Sequence, residues 1–345
     1  MQLLRQKREF GRARVLVAAL LVAALGSGCT GEPNGSRAYA PEGHPAPQAP
    51  KADRAPKAQK ADQAQKAGGA QKPGSPQKAD RAQKPGSAPR RGPAGALAAY
   101  AEKLRRAEAV RTATAKRWKL ARTPLTAPPP PAVKPVIRTR KGFEVSGGAG
   151  LPPVFTTVPV KDKIVFLTID DGAEKDPEFL RMMAELKIPY SAFLSDYVIN
   201  DDYNYFRLMR DRGVALHNHT LNHPYLPGLS RDGQKREICG QQDKIQKRYG
   251  KRPRLFRPPY GNYNGDTLRV AKSCGITAVP LWSAEAFPDH MEWREWDRDL
   301  HPGDIVLSHF RGREDGKGSM PDMIRRVMKT ITDKGYAVAR LEDYV

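Results

Sequence analysis

Cysteine is scarce in this 345-residue chain, with three in all, and aromatic residues make up only 8% of it. So few cysteines exclude a small scaffold stapled by several disulfides. Long apolar runs are missing as well. The stretch from Val15 to Leu25 is too short to span a bilayer. Acidic residues are thin over the first 140 positions, where 8 stand against 28 Lys and Arg, while residues 141–345 hold 29 against 31. The net charge of +22 therefore belongs almost wholly to the upstream part and carries no information about the downstream part's ligand. No specific nucleic-acid partner is expected. Residues 141–345 are enough to bury one substantial core, and they hold six of the seven histidines.

Residues 1–29 read as an export signal. Arg5, Lys7, Arg8, Arg12 and Arg14 precede the apolar run, and Gly26-Ser27-Gly28 lead into Cys29. That arrangement resembles a bacterial lipoprotein signal in which Cys29 is lipidated, although Gly26 stands where a Leu is usual. Ordinary secretion after cleavage nearby is the alternative. The expected location is outside the cell, on the membrane or released, with the membrane touched only through the signal or the lipid.

From 30 to 135 the chain is rich in Ala, Pro, Lys, Gln and Gly, and Ala70-Gln-Lys-Pro-Gly-Ser75 recurs at 82–87. Such a segment cannot bury enough apolar surface to offset its ordering entropy, so a long disordered tether is expected, drawn to an anionic envelope by its charge. Residues 94–122 are Ala-rich, with Leu97, Tyr100, Leu104, Ala107 and Val110 near one face. A transient helix in a spacer is the favoured reading there, and a basic amphipathic helix on an anionic surface is the other.

Beyond residue 141 short β-rich runs alternate with helical patterns. Strands are expected at 164–169, 190–194, 214–217, 255–257, 277–282, 305–308 and 337–341. Helices are expected at 178–186, 203–212, 231–249, 266–273 and 321–333. This alternation implies an α/β domain over 141–345 with parallel strands joined by helices, and the number of units favours a barrel over an open sheet. Cys239 and Cys274 fall on helices flanking one strand, so a disulfide and two buried thiols are both open.

Chemistry-bearing residues gather at strand ends, where barrel sites form. Asp170 and Asp171 end the first strand before Gly172, and alternation points them to opposite sides. His219 and His223 lie four apart, which on a helical turn brings both imidazoles to one side. Phe256-Arg257-Pro258-Pro259-Tyr260-Gly261 leaves the fourth strand as a rigid non-helical loop. Leu307 and His309 share one face of a later strand. His217 reads as a strand-end core residue and His44 as part of the linker. Two His and one carboxylate keep open positions on a divalent metal.

Taken in this order, these stretches resemble the polysaccharide deacetylases of the NodB-homology family, carbohydrate esterase family 4, over about residues 160–345. The resemblance implies a distorted (β/α) barrel of about seven parallel strands. It implies Asp171, His219 and His223 as ligands of one divalent ion, zinc before cobalt or another metal. Asp170 would be the general base, oriented by Arg257, and the Tyr260 N–H would face the oxyanion. Leu307 and Trp282 would line the substrate pocket, with His309 as general acid. One segment departs: Trp282-Ser-Ala-Glu285-Ala-Phe-Pro-Asp289 lacks the family's usual aspartate in frame, leaving Glu285 or Asp289 to support His309.

The expected activity is metal-dependent removal of N-acetyl groups from amino sugars in a polysaccharide such as peptidoglycan or chitin, by a monomer. An O-acetyl esterase keeps the same machinery. A non-catalytic glycan-binding lipoprotein is the reading from a different class, with the departing segment as its support.

Overall fold

The computed structural model describes residues 93–313 and 318–345, and all structural statements refer to these. Cys29, His44 and the greater part of the 30–135 tether lie outside them. Helix α1 (Pro93–Arg117) comes first, then strand β1 (Val154–Phe155) and β2 (Ile164–Asp171). Helix α2 (Pro177–Leu186), β3 (Ser191–Leu194), α3 (Asp196–Ile199), α4 (Tyr203–Asp211) and β4 (Ala215–Asn218) follow. Next are α5 (Arg231–Tyr249), α6 (Gly265–Ser273), β5 (Val279–Pro280), β6 (Ala284–Ala286) and β7 (Met291–Trp293). The chain closes with β8 (Ile305–His309), α7 (Met320–Asp333) and β9 (Ala337–Val338).

β2 is the hub. It pairs in parallel with β3 along Thr168–Asp171, with β8 along Phe166–Asp170, and with β9 at Ile164 and Val165. β3 pairs with β4, and β4 passes on to Phe256 through a bridge at Asn218; Leu255 then bridges Ala278. Further along that strand, Ser283 N–H donates to the Ile305 carbonyl and β6 pairs with β8, which brings the ring back to β2. The result is the irregular, mostly parallel α/β barrel that the alternation of elements implies.

Alternation along the strands divides the core in two. Val165, Leu167 and Ile169 pack outward with Phe179, Met182, Met183, Ile324 and Val327 of α2 and α7. Ile164 and Phe166 face inward with Phe193, Phe256, Ile305 and Leu307. Helix starts are set by capping. Asp176 accepts from Glu178 N–H ahead of Pro177, and Asn264 with Thr267, and Ser319 with Asp322, form capping boxes.

Three expectations change. The 277–282 strand is broken: Pro280 lacks an N–H, β5 is only two residues long, and the chain resumes as β6 before doubling back in antiparallel β7. The 255–257 strand is reduced to bridges, ended by Pro258-Pro259. Part of the stretch expected as tether, from Arg117 to Leu125, also packs against the barrel. Trp118 is 6% exposed and its Nε1 donates to Glu185 at 2.6 Å, Arg117 pairs with the same carboxylate, and Leu125 bridges Ala337. Leu97, Tyr100, Leu104 and Val110, which the sequence places near one helix face, are exposed. Among the described residues no helix is long and apolar enough to cross a membrane.

Candidate active site

Inward-facing positions of β2 run Ile164, Phe166, Thr168, Asp170, so the strand that builds the core delivers Asp170 to the barrel axis. Arg257 meets it there. Its guanidinium is fully buried and donates to Asp170 Oδ1 at 2.7 Å, to Thr168 Oγ1 at 2.9 Å, and through Nε to the Pro280 carbonyl at 2.8 Å. The guanidinium also lies over the Phe193 ring at 4.4 Å. Burial pulls the Arg257 pKa down and Asp170 opposes that pull. An arginine is the residue for this position because its fork can be satisfied on several sides at once.

Asp171 does not point away from Asp170 as strict alternation implies. Its φ is 75°, in the left-handed region, and this swings the carboxylate back. Asp170 Oδ2 and Asp171 Oδ1 consequently lie 3.7 and 3.5 Å from the same His219 Nε2. Gly172 follows with a φ of 101°, and a Cβ there would collide with Ile199 and Phe206, so the turn requires glycine.

The two histidines also come together by a different route from the one their spacing suggests. Residues 219–223 are not helical; Thr220 has a φ of 72° and His223 of 54°. Thr220 N–H donates to Asn218 Oδ1, and Thr220 Oγ1 accepts from His223 N–H. Asn218 is itself tied through Nδ2 to Ile238 and Gln242. This left-handed turn sets the two rings 4.9 Å apart.

Donor atoms of Asp171, His219 and His223 all lie within 4.8 Å of one another. His219 Nδ1 sits 2.6 Å from the Arg257 carbonyl, which fixes the N–H there and turns Nε2 to the cluster. Burial draws the His223 pKa down, and the neighbouring His219 helps bring it to about 4, so this imidazole is neutral at ordinary pH. Burial would raise Asp171, but His219, His309 and His223 together hold it well below the usual carboxylate range. Asp171 Oδ1 is buried without a hydrogen-bond partner. An ionised, orphaned oxygen facing two imidazole nitrogens fits a divalent cation, and the two-nitrogen, one-oxygen donor set suits zinc.

On the neighbouring strand, His309 ends β8 beside Asp170 in register. Its Nδ1 lies 3.1 Å from Glu285 Oε1, leaving Nε2 for the site. Of the two acids offered by the sequence, Glu285 is the one in contact; Asp289 pairs with His290 at 2.7 Å. Leu307 is buried inward of His309, and Trp282, 8% exposed, backs Gly261 in the Tyr260 loop. Tyr260 holds a φ of 60°, and its ring, 61% exposed, stands 4.6 Å from His223. Sequence reading missed Arg311, whose Nη2 is 3.6 Å from Asp171 Oδ2, and Thr168, which braces Arg257. Thr168 was legible in principle as the inward neighbour two before Asp170; nothing marked Arg311. Cys239 and Cys274 are joined in a disulfide between α5 and the end of α6, away from these groups. His217 is a buried strand-end residue, 2.7 Å from Glu342.

A carboxylate fixed by a guanidinium, an imidazole backed by a carboxylate, and a cation-shaped cluster between them are equipment for hydrolysis at a carbonyl. Comparison with known proteins narrows that class. A family model described as polysaccharide deacetylase matches residues 157–279. An uncharacterized protein of Streptomyces coelicolor is 43% identical over 199 residues, 57% of this chain and 79% of that protein. A peptidoglycan-N-acetylglucosamine deacetylase of Bacillus cereus is 26% identical, over 52% of this chain and 86% of the relative. A peptidoglycan-N-acetylmuramic acid deacetylase of Bacillus subtilis is 27% identical, over 53% and 72%. The chain belongs to the polysaccharide deacetylase family and is an enzyme of that class.

Proposed function

We propose that this enzyme removes N-acetyl groups from amino sugars of a cell-wall polysaccharide, outside the cell, with one divalent cation held by Asp171, His219 and His223. The observation that carries the reading is the gathering of those three donor sets within 4.8 Å beside an Asp170 that Arg257 holds at 2.7 Å. The wall as substrate rests on the B. cereus and B. subtilis relatives, whose names specify peptidoglycan. Export rests on the 1–29 signal, with Cys29 as the lipidation point.

A bound cation, zinc for this donor set, supplies Lewis acidity toward water and the acetamide carbonyl. Asp170 accepts the proton of the attacking water, held and aimed by Arg257. The Tyr260 N–H, presented by a left-handed backbone, donates to the oxygen that gains charge. His309 gives a proton to the departing amine, its ring oriented by Glu285. Leu307 and Trp282 enclose the acetyl methyl. An O-acetyl ester would use the same groups with less need of His309. The non-catalytic reading drew on the departing 282–289 segment, and Glu285 beside His309 removes that support.

The test is acetate release by the full chain from chitooligosaccharide, peptidoglycan and acetylxylan, paired with metal analysis. Activity on the amide substrates, with cation content lost in His219→Ala and kept in Asp170→Asn, is the expected result. Full cation content in His219→Ala overturns the ligand assignment, and release from acetylxylan alone overturns the substrate.

A further inference from the structure

A cavity of about 690 Å³ among the described residues lies away from the catalytic end of the barrel. It opens at the other end, between the 136–140 segment, the stretch after β1, and the loop leading into β8. Asp304, in its wall, precedes His309 by five residues on one extended segment, a separation of roughly 16 Å.

On its rim stands Trp296, 92% exposed. The chain's other tryptophans behave differently: Trp118 and Trp282 are buried and Trp293 is partly covered. An indole left wholly in water at the mouth of a cavity offers an apolar plane to a ligand. Behind it the polar groups are fixed by one another. Arg140 Nη1 donates to Thr156 Oγ1 at 2.6 Å and pairs with Glu295 at 2.7 Å. Thr157 Oγ1 donates to Asp304 at 3.0 Å, and His301 Nε2 stands 3.0 Å from Asp297.

Charge does not select the occupant. Arg138 and Arg140 face Glu295, Asp297 and Asp304, so neither a polyanion nor a polycation is favoured. The cavity calls for a neutral molecule with one apolar face and a rim of hydrogen-bonding groups. A pyranose ring has both: axial C–H bonds stack on an indole while hydroxyls meet carboxylates, guanidinium and imidazole. A volume of this size accommodates more than a single small ligand.

We propose that this cleft is a second glycan site, binding pyranose rings of a neutral polysaccharide strand without acting on them. Placed at the opposite end of the barrel from Asp170 and His309, it would hold one strand of an insoluble polymer while another enters the catalytic end.

The experiment uses the full chain and two variants, Trp296→Ala and Trp296→Phe. Retention on insoluble chitin is measured by sedimentation, and binding of soluble chitotetraose by quenching of tryptophan fluorescence. Trp296→Ala is expected to weaken retention about tenfold or more and to remove the part of the quenching that Trp296 contributes, leaving only that of the catalytic end, as loss of an aromatic anchor does. Trp296→Phe should keep most of the retention, because a ring face remains. Acetate release from soluble chitotetraose should match the unaltered enzyme in both variants, with circular dichroism and melting temperature reporting that they fold. Unchanged retention in Trp296→Ala, or equal loss in the Ala and Phe variants, overturns the site. So does a parallel fall in soluble turnover by a folded Trp296→Ala, since the cleft would then belong to the catalytic end.

Discussion

Arg257 and Asp170 form an ion pair at 2.7 Å with neither side chain more than 2% exposed. A pair so far from water gives up hydration on both partners, and only the further bonds of Arg257 to Thr168, Pro280 and Leu281 make that tolerable. Its value lies in fixing a carboxylate at one place inside an apolar barrel.

Breaking the pair from the arginine side should damage fold and activity together. Arg257→Ala leaves Asp170 buried without its cation and removes the largest fully buried side chain. A loss of about 3–5 kcal/mol in unfolding free energy is expected by urea denaturation. Arg257→Lys should recover part of the stability and little of the acetate release, because an ammonium cannot match the fork.

Glu285 touches no expected reacting atom and acts through His309. Glu285→Gln should lower kcat on an N-acetyl substrate by about tenfold or more while KM stays nearly unchanged. Turnover of an acetyl ester with a good leaving group should fall far less. Equal losses on amide and ester would show that Glu285 shapes the pocket instead of orienting the acid.

Acid stability should depend on Glu342. Burial would raise its pKa, but the hydrogen bonds from His217 and Ser191 outweigh burial and hold it at about 2, against an ordinary 4.5. A depressed carboxylate contributes stability that is full above its unfolded value and is lost as pH falls through the folded one. The contribution is on the order of 3 kcal/mol, present above about pH 4.5 and gone near pH 2. Urea midpoints between pH 5 and 2 should fall steeply for the natural chain and more gently for Glu342→Gln. Parallel slopes would exclude Glu342 as the responsible group.

A chain cut to begin at residue 141 should be markedly less stable than one beginning at 85. It loses Trp118 from its place against the barrel, together with the Glu185 contacts and the Leu125 bridge. Removal of a buried tryptophan alone costs about 3–5 kcal/mol. Matching melting temperatures for the two truncated chains would restore the boundary at 141.

Barrel and helices were legible because their signals are periodic. Alternation along 164–171 separates the outward Val165-Leu167-Ile169 from the inward Phe166 and Asp170, and the amphipathic α2 and α7 answer the outward face. Cluster membership was legible through motif resemblance. Geometry was not, because Asp171, Thr220, His223 and Tyr260 all take left-handed backbone angles that no residue type among them announces. For the same reason His219 and His223 looked like neighbours on a helix. The packing of Trp118 was hidden by the composition around it, where one buried ring sits in an otherwise polar, Ala-rich stretch.

Those four left-handed residues set a direction for mutational drift. Each non-glycine residue held there costs of the order of 1–3 kcal/mol, so glycine at Thr220 or Tyr260 would relieve strain. A population selected only for heat tolerance should therefore accumulate such glycines, and with them lose the cradle that aims His223 and the Tyr260 amide. Reactive form survives in this barrel only while turnover is selected alongside durability.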